Sequence, residues 1–295
     1  MIGFPKICLG QDGFVNFGWA EKDTTNDEML SFAQKEKFQG IELHNLFQPY
    51  ELENAAKIRK SYLARGLEIP GLQTGHITFY NNPIGTPDER KKYVAAIDEA
   101  LTFDQAVGGT HSTLTPPTLV GDYTATDYDK ALHTYVETIG EVAAVAEKHG
   151  VVMAIEPEPH MLMNGGKGIR EAIEDVTFML NGVRSKNLCI LFDVCHVNYL
   201  SHGDPSGFLR KLNGRVSWVH VADNDMTLTP TVGTASHLEF GEGNIDLKKL
   251  MKTFKEEVPN LKWLQIDTWE NPLPYETARK NKAELARVLN EISWR

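Results

Sequence analysis

Leu188-Cys189-Ile190-Leu191-Phe192-Asp193 decides the fold: an unbroken apolar run closed by an acid. A strand with one wet face alternates apolar and polar residues. A run without alternation predicts a strand covered on both faces, as in parallel sheets flanked by helices. Val151-Val152-Met153-Ala154-Ile155-Glu156 repeats the pattern, again ending in an acid. Working outward, similar β-branched or apolar runs predict strands over 6–9, 40–43, 67–72, 109–114, 216–221 and 261–266. Between them lie helical patterns. Residues 25–38 open with Asn26-Asp27-Glu28, acids that suit a helix N-terminus, and 52–65 stop at Gly66. Thr86-Pro87-Asp88-Glu89 reads as an N-cap, a first-turn proline and two acids before a helix reaching about Val107. In 127–149, Leu132, Val136, Ile139, Val142, Ala143 and Ala146 recur at near-helical spacing, and Gly150 ends the segment. Segments 168–180, 204–212, 247–258 and 277–294 supply the remaining predicted helices.

Eight strand–helix units without a linker or a change of composition predict one (β/α)8 TIM barrel spanning residues 1–295, an α/β fold. A doubly wound open sheet would want a glycine-rich phosphate loop leading into a helix. Gly10-Gln11-Asp12-Gly13 has no helix directly after it. Composition agrees with a globular enzyme-sized domain: 295 residues, 41% hydrophobic and 24% charged. Thirty basic against 40 acidic residues leave a net charge of −10, which repels phosphate backbones and predicts no nucleic-acid partner. No charge-free apolar stretch is long enough for a membrane span, and the start lacks the layout of a signal peptide. Three cysteines, Cys8, Cys189 and Cys195, without a CxxC pair fit a reducing, cytoplasmic setting better than a disulfide framework.

Polar residues sit where the predicted strands end. Glu42 lies late in strand 2, His76 follows strand 3 and His111 lies in strand 4. Glu156 ends strand 5, and Asp193 ends strand 6 with His196 three residues on. His220 and Asp223 belong to strand 7, and Asp267 ends strand 8. In a parallel barrel all strand C-termini open on one face, so these groups converge. Converging buried carboxylates repel and each costs several kcal/mol in order of magnitude to desolvate. A divalent cation offsets that cost. Three carboxylates and an imidazole are mainly hard ligands, so Mn²⁺ leads, with Mg²⁺, Co²⁺ or Zn²⁺ as alternatives. Taken singly, an acid after a strand is ordinarily a helix N-cap or a solvated loop residue, and Asp193 has that reading too. Isolated histidines such as His44, His133 and His149 are given no role.

At these residues the chain resembles the xylose-isomerase-like barrel superfamily of sugar isomerases and epimerases. The carrying motifs are Ala154-Ile155-Glu156-Pro157, Phe192-Asp193-Val194-Cys195-His196, His220-Val221-Ala222-Asp223 and Phe240-Gly241-Glu242-Gly243-Asn244-Ile245-Asp246. Carried over by position, Glu156, Asp193, His220 and Asp267 are the implied metal ligands, and His196 the implied substrate contact beside the metal. The epimerase-like members usually have Glu after strand 8. Asp267 is one methylene shorter, so either the metal sits closer to strand 8 or Glu270 reaches in. Glu156-Pro157-Glu158-Pro159-His160 offers two further polar contacts, and His237 matches a metal-proximal or substrate-binding position.

The resemblance implies an open-chain monosaccharide or sugar derivative whose α-proton is removed to give an enediolate. Glu156 and Asp267 would take and return the proton, giving epimerisation or aldose–ketose isomerisation. His76, His111, His196, His237 and Glu158 are candidate substrate contacts; Phe14, Phe17 and Trp19 would wall off the sugar's apolar face, or fill the core. Without a glycine-rich phosphate loop or an obvious Lys/Arg cluster, an unphosphorylated sugar is expected. A metal-dependent lyase or deglycosidase acting on oxidised (keto) sugars is the main alternative. An endonuclease-type phosphodiesterase would need more histidine ligands and a basic rim, and a non-catalytic sugar-binding protein would hold only a structural ion. A homo-oligomer is compatible with all of these.

Overall fold

The computed structural model describes residues 4–14, 24–44, 50–230 and 233–294. Its strands are β1 (Lys6–Gly10), β2 (Gly40–His44), β3 (Gly71–Gln73), β4 (His111–Leu114), β5 (Val152–Ile155), β6 (Leu188–Asp193), β7 (Val216–Val221) and β8 (Trp263–Ile266). Each pairs in parallel with the next, and β1 closes on β8 with Cys8 opposite Gln265. The result is the expected closed (β/α)8 TIM barrel.

Ten helices are described: α1 (Asn26–Lys35), α2 (Ala55–Leu63), α3 (His76–Tyr80), α4 (Pro87–Val107), α5 (Ala125–His149), α6 (Ala172–Gly182), α7 (Val194–Leu200), α8 (Pro205–Lys211), α9 (Leu247–Glu257) and α10 (Pro274–Glu291). Helices α1, α4 and α5 each start with a capping box, built by Thr25 with Glu28, Thr86 with Glu89 and Thr124 with Asp127. Gly108 and Gly150 end α4 and α5 in the left-handed conformation that glycine adopts without steric cost.

Two departures have local causes. The strand expected over 67–72 is reduced to Gly71–Gln73, preceded by an isolated bridge from Glu68 to Gly40. Pro70 has no N–H for the ladder, and its carbonyl accepts from Thr110 N at 3.1 Å. The helix expected from residue 168 begins only at Ala172, because Gly165, Gly166, Lys167 and Gly168 all have positive φ.

Alternate strand residues face the barrel axis. At mid-barrel Cys8, Ala154, Leu191, Trp218 and Trp263 pack together, while Ile7, Leu9, Ile41 and Leu43 belong to the larger core under the helices. Two residues further along β5, β6 and β7, Ala154, Leu191 and Trp218 give way to Glu156, Asp193 and His220. Gln265 gives way likewise to Asp267 after β8. The apolar plug is thus the floor of a polar mouth. Gly10 marks how tightly it closes: a Cβ there would lie 2.6 Å from Asp12 Oδ1 and 2.7 Å from Gln265 Nε2.

Candidate active site

His220 is the centre of the mouth and is fully buried. Its Nδ1 lies 3.2 Å from Asp267 Oδ2, 3.6 Å from Glu156 Oε1 and 3.7 Å from Asp193 Oδ2. Its other ring nitrogen, Nε2, lies 3.4 Å from Glu42 Oε2. One imidazole therefore faces three carboxylates on one side and a fourth on the other.

Asp193 does two things at once. Oδ1 caps α7, accepting from His196 N at 2.8 Å, while Oδ2 lies 3.3 Å from His237 Nε2. The cap reading of this residue therefore holds, while its second oxygen stays turned toward the cluster. The turn it caps also brings His196 Nδ1 to 3.5 Å from Glu156 Oε1.

His237 arrives from a loop by backbone pairing. Leu238 N donates to Asp223 O at 2.8 Å, and Asp223 N to Leu238 O at 3.0 Å, extending β7 antiparallel onto the segment that carries His237. Asp223 itself faces away from the cluster. Its carboxylate accepts from the backbone N–H groups of Asn224, Gly241, Gly243 and Ile245 at 2.8–3.2 Å, which fixes the Gly-Glu-Gly turn.

Burial and charge set the protonation states. Burial opposes a charge on Asp193, but His196, His237 and His220 outweigh it and hold its carboxyl below the usual range. The same balance, with His237 and His220, lowers Asp267. Glu156 moves the other way: burial, then repulsion by Glu158, Asp193 and Asp267, raises it well above the ordinary value against the pull of His220. Glu158 is raised to about 8 by burial and by Asp193. Burial also lowers His196 to about 4, whereas His237, despite burial, is held at about 9 by Asp267 and Asp193. Neighbouring acids thus differ in charge state because their surroundings differ.

The donor set fits a divalent cation. Glu156, Asp193 and His220 each offer a ligand atom within 4.8 Å of the others, and so do Asp193, His196 and His237. Nδ1 of His196 and of His220 is buried without a hydrogen-bond partner although carboxylate oxygens surround it. Buried polar atoms are ordinarily satisfied, and a cation satisfies several of these at once. A histidine ligand whose far nitrogen meets a carboxylate, as His220 meets Glu42, is a recurrent arrangement around bound metals.

Above the cluster lies a cavity of about 360 Å³. Of the residues singled out in the sequence, Glu156, Glu158, Asp267, His76, His196 and His237 line it; Asp193 and His220 lie beneath. His111 is elsewhere: it is the first residue of β4, at the far end of that strand, with its ring 5.4 Å from Trp218. Glu270 faces a separate groove, leaving Asp267 as the strand-8 acid within reach of His220. Phe14 packs in the core against Phe32 and Tyr275; Phe17 and Trp19 lie outside the described residues.

Residues the sequence reading left unassigned also contribute. Asp12, His44, Thr234 and Trp269 line the cavity. Glu42 was visible late in its strand, but the distance to His220 that gives it meaning was not. Thr234 Oγ1 lies 2.8 Å from His196 Nε2 and 3.3 Å from Glu158 Oε2, joining the two.

A family model described as xylose isomerase-like TIM barrel matches residues 30–291. No curated protein matches the chain. Among solved structures, an IolI protein with a bound zinc atom aligns with TM-score 0.76 and 15% identity over 97% of this chain and 99% of that one. A D-tagatose 3-epimerase-like protein aligns with TM-score 0.74 and 19% identity over 97% and 98% of the two chains. AsbF, a probable 3-DHS dehydratase involved in petrobactin synthesis from Bacillus anthracis, aligns with TM-score 0.70 and 13% identity over 95% and 98%. At these identities the likeness is one of fold.

Proposed function

This chain belongs to the xylose isomerase-like TIM barrel family, and from that premise we propose that it is a divalent-metal-dependent sugar isomerase or epimerase. The observation that carries the reading is the meeting of Glu156, Asp193 and Asp267, from three different strands, within 3.7 Å of a single nitrogen of His220. The zinc in the IolI structure and the epimerase name of another neighbour support it.

Glu156, Asp193, His220 and Asp267 would hold the ion, with Mn²⁺ as the leading candidate. The bound ion supplies Lewis-acid polarisation of a hydroxy-carbonyl substrate. Glu156 and Asp267 follow β5 and β8 and both line the cavity, so one removes the proton beside the carbonyl and the other returns it. Glu42 would steady His220 from the Nε2 side, leaving Nδ1 toward the cluster, and Asp193 caps the start of α7 while it faces the cluster. His196, His237, His76 and Glu158 are placed to bind substrate hydroxyls. Among the described residues no Lys or Arg lines the cavity, which supports an unphosphorylated substrate.

The test is hydrogen exchange. Metal-loaded protein incubated in D₂O with a panel of ketoses and aldoses is expected to place deuterium at the carbon next to the carbonyl, and Glu156→Gln to abolish it. Full exchange by the Gln variant would remove Glu156 from the chemistry.

A further inference from the structure

The cavity has two unlike parts. Its polar part is the carboxylate and imidazole cluster; its remaining lining includes Phe79, Met161 and Trp269. A second depression adjoins it. Phe79 and Thr118 are shared with an adjoining groove of about 620 Å³, along which stand Tyr80, Leu119 and Val120. Phe79 is 67% exposed, Tyr80 84% and Val120 92%, an unusual concentration of bare apolar side chains beside a polar mouth.

The helix that carries these rings is held in place. Ile77 buries the inner side of α3, and Thr78 Oγ1 donates to Thr115 O at 2.9 Å and lies 3.3 Å from Tyr93 OH. The short helix is therefore fixed to β4 and α4 with its two aromatic rings turned to solvent. The groove's charged groups are few: Lys92 and Glu89, the latter engaged in the capping box of α4. A free monosaccharide presents only a small apolar C–H face, which Met161 and Trp269 of the cavity lining can cover, and it leaves Tyr80, Leu119 and Val120 of the groove without a partner. An aryl group supplies one, because its faces and edges pair with phenyl and phenol rings.

Resting on the reading of the cluster as a sugar site, we propose that the substrate is a hydroxy-carbonyl sugar carrying an aryl-sized apolar substituent. The sugar sits at the carboxylates, and the substituent lies over Phe79 and Tyr80. Because Phe79 and Thr118 line both the cavity and the groove, the shelf is assigned to the ligand of that cavity rather than to a second copy of the chain.

The test compares matched pairs of unreactive probes, the phenyl and methyl glycosides of glucose, galactose, mannose and xylose, by titration calorimetry on Mn²⁺-loaded protein. At least one phenyl glycoside is expected to bind tenfold or more tightly than its methyl partner. Phe79→Ala is expected to bring that ratio down at least fivefold; the exposed position makes loss of folding unexpected, and a melting curve checks it. Equal binding within every pair, binding of neither member, or an unchanged ratio in Phe79→Ala overturns the proposal. So does a dimer that sedimentation shows to dissociate on Phe79→Ala with Tyr80→Ala, because a second copy would then cover the shelf. Deuterium exchange into an unsubstituted ketose is read separately: its presence keeps the sugar reading even if the phenyl preference fails.

Discussion

Replacing Asp193 by Asn and by Ala separates its helix cap from the metal ligation proposed for it. The cap is a buried bond of 2.8 Å from His196 N to Oδ1. Asparagine caps a helix about as well as aspartate, whereas Ala loses the bond at a cost of about 1 kcal/mol, up to about 2 at strong sites. Both substitutions remove the negative Oδ2, which lies 3.3 Å from His237 Nε2 and 3.7 Å from His220 Nδ1. That loss is common to both variants and cancels between them. In the presence of a chelator, urea denaturation should therefore find Asp193→Ala about 1–2 kcal/mol less stable than Asp193→Asn. Metal binding behaves differently. Changes to residues that merely support a metal ligand weaken affinity by about 10–100-fold, so loss of a direct anionic ligand should cost at least the upper figure, about 2.7 kcal/mol. Calorimetric titration with Mn²⁺ or Zn²⁺ should show this loss equally in both variants. Wild-type affinity in Asp193→Asn would leave Asp193 a helix cap and nothing more. Equal stability of the two variants would instead refute the cap.

Glu42→Gln keeps the shape beside His220 Nε2 but removes the charge, so Mn²⁺ affinity should fall about 10–100-fold by calorimetry; an unchanged value would detach Glu42 from the site. Gly10→Ala forces a Cβ to 2.6 Å from Asp12 Oδ1 and 2.7 Å from Gln265 Nε2 and should cost about 1–3 kcal/mol in chemical denaturation; no loss would show that these two buried side chains turn aside freely. His111 is lowered to about 4 by burial and by Lys262, against about 6.5 when unfolded. Below 6.5 the unfolded chain binds a proton that the folded one refuses. This contribution is therefore present above pH 6.5 and lost as pH falls toward 4, at up to about 1.4 kcal/mol per pH unit. His111→Gln should flatten that slope in denaturation curves taken between pH 6.5 and 4; an identical slope would sink the assignment.

The barrel could be read from apolar runs without alternation because burial on both faces leaves no polar register to keep. The acids could be read for the same reason: Glu156 and Asp193 close unbroken apolar runs, and Asp267 closes a short one interrupted only by Gln265. What the chain did not disclose were distances and ends. His111 and His220 look alike in sequence, each a histidine in a predicted strand. One stands at the start of β4 beside Trp218, and the other is the fifth of six residues in β7, level with the carboxylates. Glu42 gains meaning only through His220, far along the chain, and His237 through the backbone pairing of its neighbour Leu238 with Asp223. Helix α3, five residues long, is too short to display a period, so Phe79 and Tyr80 gave no signal.

The grip of Asp223 on Gly241, Gly243 and Ile245 bears on how this scaffold can be redesigned. A single side chain just past β7, the strand that carries His220, ties three backbone amides of that turn, so diversifying the turn in a library would disturb the carboxylate and imidazole cluster together with the wall. Among the described residues, the segments after β3 and β4 show no side-chain tether of this kind to the carboxylates. An engineer seeking new substrates should randomise there first and leave the Gly-Glu-Gly turn as it stands.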